Sequence, residues 1–268
     1  MCMNKFDTIK IHVRVKPFTT DPLEFDSETN HTIFASVYAT LVSSHAVHGF
    51  KNFLSSNWIS QNNNQDWVLG LKPGLKFDNG SEITSKIAIR SLKRIILALR
   101  KKNSNENFLE FLKGVEKLKT VEDHIEGLSE KNGNIHFLFI KPMPKFLTFI
   151  SFGMYGITHP DDYDSKGNWK NNKSVIASGA YSLNLWTDKE INLKLRNNIY
   201  QDLGHKNKFK EAIFYFDSKS TDSDLFAGKS IDNLRSKDFL FTGGTTNGIA
   251  FIRLTSWKNK KSPLNNLK

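Results

Sequence analysis

One stretch constrains the fold of this chain more than any other: DWVLGLKPGLKFDNGSEITSKIAIRSLKRIILALRKK, residues 66–102. WVLGL and LKF are short apolar runs that read as strands, and Lys72-Pro73-Gly74 reads as the turn between them. Pro presets φ for such a turn and Gly tolerates φ > 0. Asp78-Asn79-Gly80 is a second turn, and Thr84 then stands where an N-cap belongs. Behind it, Ile87, Leu92, Ile95, Ile96 and Leu99 fall on one face at helical spacing. Arg100, Lys101 and Lys102 sit at the helix end, where the helix dipole favours cations.

Elsewhere, helix and strand signals mix. Residues 8–15 alternate apolar Ile9, Ile11, Val13 and Val15 with polar residues, a strand with one buried face. Thr29 or Asn30 can cap a helix carrying Ile33, Phe34, Val37, Tyr38 and Leu41. Residues 107–118 read as helical, and a strand follows Gly133. Residues 157–177 read as loop. YSLNLW and EINLKLR are strands around Thr187-Asp188-Lys189, followed by the AIFYF strand. A helix is expected near 221–229, and IAFIRL is a last strand after a flexible TGGTTNG. Without regular βαβ alternation, the class is α/β or α+β with a mixed sheet.

With 268 residues, 38% hydrophobic and 24% charged, the chain can bury a sizeable core. Cys2 is the only cysteine, which excludes an intramolecular disulfide. MCMNKFDTIKIHVRV has no apolar h-region, so no signal peptide is expected. FLFIKPMPKFLTFISFGMYGI is interrupted by Lys141, Pro142, Pro144 and Lys145, which excludes it as a membrane span. A net charge of +11 suits an anionic partner, but no block of five basic residues occurs. Scattered solvating lysines are the plainer reading. The densest clusters are Arg100 to Lys102 and Lys258 to Lys261, both at element ends.

Candidate chemistry is sparse. His45 and His48 could sit on one side of a helix end, but no third zinc ligand has matching spacing. Asp161, Asp162 and Asp164 cluster without the order of a calcium loop, so a solvated turn is expected. Gly243-Gly244 lacks a phosphate-loop pattern, and His124 and His136 have no nucleophile partner. Trp67, Trp169, Trp186 and Tyr181 could stack bases, although core packing is the simpler assignment. No catalytic constellation emerges, so the chain is read as a non-enzyme.

Residues 67–94 resemble a characteristic block of the family 5 extracellular solute-binding proteins of ABC importers. The matching positions are Leu71, Lys72, Gly74, Lys76, Phe77, Gly80, Thr84, Ser91, Leu92 and Arg94. TTDPLEFDSETNHTIFASVYATLVS is similar to the family's opening segment, and SVIASGAYSLNLWTDKEINLKLRNNIY to its Gly-Pro-Tyr strand pair. The chain departs from the pattern at Lys86, at Ser178-Gly179-Ala180-Tyr181 and at the Asn-rich segment 62–65.

The resemblance implies a type II periplasmic-binding-protein-like lobe with a mixed sheet and an inserted α+β subdomain, its second lobe missing. Residues 1–46 and 175–268 would form lobe I and 47–174 the insert, in a chain that looks truncated. It implies a periplasmic or extracellular solute-binding protein, with the cytoplasm open if the start is genuine. Its partners would be a peptide or other small solute and the permease and ATPase subunits of the importer. The chain would be a monomer needing no cofactor, no metal and no nucleic acid. Asp26, Ser27 and Glu28 would line the cleft and meet a peptide's ammonium, with Asn247 and Gly248 as a second contact. A solvated turn capping the next helix is an equal reading of residues 26–28. A cytoplasmic ligand sensor of the same fold and a basic nucleic-acid-binding protein remain as alternatives.

Overall fold

The computed structural model describes residues 8–13, 16–24, 28–45, 49–102, 107–170, 173–196, 209–216, 225–227, 239–246 and 249–256. In chain order the first elements are β1 (Thr8–Val13), α1 (Glu28–Val37), β2 (Val42–His45), β3 (Gly49–Asn52), β4 (Ser55–Gln61) and β5 (Asp66–Leu71). Next come α2 (Ser85–Lys101), β6 (Leu128–Lys131), β7 (Asn134–Leu138) and α3 (Phe146–Ile150). The last are β8 (Tyr181–Trp186), β9 (Glu190–Leu195), β10 (Glu211–Tyr215), β11 (Leu225–Ala227), β12 (Phe239–Thr246) and β13 (Ile249–Ser256).

The alternation in β1 puts Ile9 and Val13 into a core with Ile33, Phe34, Val37, Tyr38, Ile191, Leu193 and Phe214. β1 lies inside a seven-stranded mixed sheet of order β12-β13-β11-β1-β10-β9-β8. It runs parallel to β10 on one side and β11 on the other; the remaining pairs are antiparallel.

A second sheet, β4-β5-β7-β6, is antiparallel throughout. The buried face of α2, with Leu92, Ile95, Ile96 and Leu99, belongs to the core that this sheet shares with Phe108, Phe137, Phe139 and Phe146. Asn62, Asn63 and Asn64 turn the chain between β4 and β5 with φ of 48°, 53° and 63°. Asparagine tolerates this left-handed region better than other side chains do, so the Asn-rich segment has a geometric cause. Asn132 and Gly133, both at positive φ, make the β6–β7 reversal in the same way.

Several expectations hold. Thr84 accepts a hydrogen bond from the Ile87 N–H at 3.3 Å and caps α2. Thr84→Ala is expected to cost about 1 kcal/mol, read as a lowered urea midpoint at unchanged slope. Others need correction. WVLGL and LKF do not pair: β5 is held between β4 and β7, and residues 75–77 form no strand with it. The local hairpin instead closes around Asp78-Asn79-Gly80, through Phe77 N–H to the Ser81 carbonyl at 2.8 Å and Ile83 N–H to the Leu75 carbonyl at 2.9 Å. Residues 108–111 and 115–117 are two 3₁₀ turns rather than one helix, separated by Gly114 at φ 72°. Residues 225–227 form β11, not a helix, and Gly243 and Gly244 of TGGTTNG lie within β12. α1 begins at Glu28, ahead of both expected caps, and His45 ends a strand rather than a helix.

Candidate functional site

The sheet register brings three chain segments to one end. β1 leaves the sheet at Val13, opposite Ala227 of β11. β13 runs against β11 with Phe226 opposite Ile252, and Thr246 lies opposite Ile249. The β12–β13 reversal therefore stands beyond the C-terminal end of β1. α1 ends at the other side: Gly179, just before β8, donates its N–H to the Val37 carbonyl at 2.7 Å. β8 runs parallel to β1, as the register through β9 and β10 requires. The start of α1 is thus at the same end as Val13. In open α/β sheets, ligands bind outside the carboxyl ends of the strands.

Of the expected contacts, Asp26, Ser27, Asn247 and Gly248 lie outside the described residues. Glu28 opens α1, with its side chain also outside them. Sequence reasoning missed the described side chains at this end. Phe18 follows β1 and is 63% exposed. Lys16 Nζ donates to Asp188 Oδ1 at 2.7 Å and lies 6.0 Å from the Trp186 ring centroid. This bond holds the Asp188 carboxyl below its ordinary range. The described surface offers an exposed ring and a lysine–carboxylate pair. Such groups can hold a solute by contact and hydrogen bonding, and nothing among them activates a nucleophile.

The motif residues gather elsewhere, in a buried joint between the two sheets. Arg94 is 1% exposed; its Nη2 donates to Asp21 Oδ2 and its Nε to the Gly167 carbonyl at 3.3 Å. The guanidinium lies 4.8 Å from the Trp169 ring centroid. Trp169 Nε1 donates to Thr20 Oγ1 at 3.0 Å, and the Tyr38 hydroxyl donates to the Thr20 carbonyl at 2.8 Å. Asp78 exchanges two 3.0 Å hydrogen bonds with Ala177, its N–H to the carbonyl and its Oδ1 from the N–H. Ser178 Oγ accepts the Ala39 N–H at 3.0 Å, and its hydroxyl donates to the Ile157 carbonyl at 2.5 Å. Gly179 is required beside it, because a Cβ there would lie 2.4 Å from the Ser36 carbonyl oxygen.

Asp162 belongs to the same joint. It is buried, not a solvated turn, and burial pushes its carboxyl up to about 7. The Ile176 N–H, donated at 3.3 Å, opposes that shift, while Asp78 and Asp161 add to it.

The remaining candidates disperse. Trp67 is core, Trp169 is committed to the joint, and Trp186 stands beside Lys16, so they make no shared platform. The cations of the α2 end are engaged: Arg100 with Glu110, Lys101 with Asn168, and Lys102 with Glu24. Lys258 to Lys261 lie outside the described residues. Among the described residues, no group of three His, Cys, Asp or Glu side chains could hold a metal. No described helix is long and apolar enough to cross a membrane.

Residues 50–249 match the family described as bacterial extracellular solute-binding proteins, family 5. The chain belongs to that family. Its fold is that of a family 5 lobe. AgaA from A. tumefaciens R10, solved with agropinic acid, aligns with TM-score 0.71 at 18% identity, over 89% of this chain and 48% of that one. The Escherichia coli murein tripeptide binding protein MppA aligns with TM-score 0.69 at 13% identity, over 88% and 50%. DppA from Helicobacter pylori, in complex with the peptide STSA, aligns with TM-score 0.67 at 16% identity, over 88% and 50%. The chain spans about half the length of these family 5 structures. No curated protein matches it by sequence.

Proposed function

We propose that the chain is the solute-binding component of an ABC-type importer, that it takes up peptides outside the cytoplasmic membrane, and that it hands them to a permease. The observation that supports this most is the convergence of the β1 end, the α1 start and the β12–β13 reversal on one end of a family 5 sheet. In this reading Asp26, Ser27 and Glu28 receive the peptide's ammonium. Asn247 and Gly248 bond its backbone, and the exposed Phe18 ring packs on a side chain. Residues 1–46 and 175–268 form the binding lobe and 47–174 an inserted subdomain. The wall formed by this lobe is one of two; the other belongs to the half of the family 5 architecture that this chain does not span. Solute would favour closure only through its better fit to the closed form.

An amide NMR titration with trialanine tests this. Saturable shifts are expected at residues 16–18, 28, 186–188 and 246–249, with Kd in the millimolar range, since millimolar affinity is worth only about 4 kcal/mol and a single wall supplies little more. Shifts confined to other regions, or none up to about 10 mM, would reject the reading. Affinity for duplex DNA that falls steeply with salt would put a nucleic-acid role in its place.

A further inference from the structure

We propose a second ligand site, independent of the solute cleft, for a small amphipathic carboxylate. A pocket of about 360 Å³ opens between the 3₁₀ turn at 108–111 and the segment 141–149. Its apolar wall is made by Phe108, Phe111, Met143 and Phe149. The Phe108 and Phe149 rings stack at 5.4 Å between centroids, 18° from parallel. The rest of the wall is fixed from behind: the Met143 N–H donates to the Asn64 carbonyl at 2.9 Å, and prolines flank it on both sides. The cavity is therefore preformed, as small-molecule pockets usually are.

Its charge is one-sided. Among the described residues, Lys141 and Lys145 line it and no carboxylate does. Lys141 Nζ stands 3.3 Å from the Phe111 ring centroid, and neither lysine has an ion-pair partner among the described residues. The buried Asn107 on the same wall keeps an Nδ2 donor with no acceptor among the described residues. An apolar cavity with two ammonium groups beside it selects an anion with an aromatic or short alkyl body. The volume suits one ring or a short chain and is too small for a helix. Ile140 and Phe152, 60% and 48% exposed, lie close in sequence to this wall and make an anionic bilayer the competing occupant.

The chain has four methionines, and of the two among the described residues Met143 lines this pocket and Met154 does not. Carbon-13 labelling of the methionine methyl groups gives a local NMR reporter, with Met154 as an internal control. Phenylbutyrate is expected to shift the Met143 methyl saturably and leave Met154 in place. Phenylbutanol, which lacks the charge, should bind about tenfold more weakly, as should the double variant Lys141→Ala/Lys145→Ala. An unchanged Met154 signal in the variant shows that its fold is kept. Three results would overturn the proposal. They are no saturable Met143 shift, equal affinity for acid and alcohol, and a response to phosphatidylglycerol vesicles but not to phenylbutyrate, which would make this face a membrane contact.

Discussion

Arg94→Ala is expected to lower the free energy of unfolding by about 3–5 kcal/mol, because it leaves the Asp21 carboxylate buried without its partner. Among the described residues, the Asp21 carboxylate then keeps the Leu23 N–H, at 2.9 Å on Oδ1. The loss also removes the cation from the face of Trp169 and a donor from the Gly167 carbonyl. The cost comes mainly from the stranded charge, so removing both charges should cost less than removing one. Arg94→Met combined with Asp21→Asn retains the hydrophobic stem of residue 94 and the acceptor for Leu23. The double variant is expected to recover about half of the loss or more. Urea unfolding of Arg94→Ala and of the double variant measures this. A double variant as unstable as Arg94→Ala would mean that packing, not charge, dominates at the joint.

Asp162→Asn is expected to raise stability at pH 8 and to change little near pH 4. The unfolded carboxyl titrates near its ordinary value of 3.8, whereas burial lifts the folded one to about 7. Below the first value both states carry the proton, and the native preference for the neutral acid is fully present. Between the two values the unfolded chain releases its proton while the native state keeps it, so stability falls as pH rises; above about 7 the loss is complete. At 1.36 kcal/mol for each unit, a span of about three units sets an upper bound of about 4 kcal/mol. Asparagine mimics the neutral acid and keeps an acceptor for the Ile176 N–H. Other carboxylates also titrate in this range, so the informative quantity is the difference between the variant and the parent at pH 5 and pH 8. Parallel pH dependences would show that Asp162 ionises normally.

The two outcomes bear on what a sequence can disclose. α2 was legible because its signals are local: Thr84 reaches Ile87, three residues on, and the apolar stripe repeats every turn. Pro73-Gly74 announced a turn but not its partners, which lie at 55–61 and 134–138. β11 spans three residues, too few to show any period, and its identity comes from β1 and β13 beside it. The family motifs were visible singly. Their meeting was not, because Arg94 and Asp21 are separated by 73 positions. The Asp161-Asp162 pair looked like a polar turn because the groups that meet the Asp162 carboxyl, the Ile176 N–H and Asp78, are distant in sequence. At the candidate site, Phe18 and Lys16 gave no signal of their own, since exposure is a property of the folded surface.

The place of β1 inside the large sheet has a consequence for synthesis. Its first residue bonds to Glu211, 203 positions downstream. When the chain leaves the ribosome, β1 emerges well ahead of β10 and waits while the intervening segments are translated. The strands β4 to β7 and α2 lie within residues 55–138, so their pairing can begin while β1 is still without neighbours. Pairing across such a loop is slow. During that interval a strand with one apolar face and both edges open is exposed, which gives a chaperone reason to hold it.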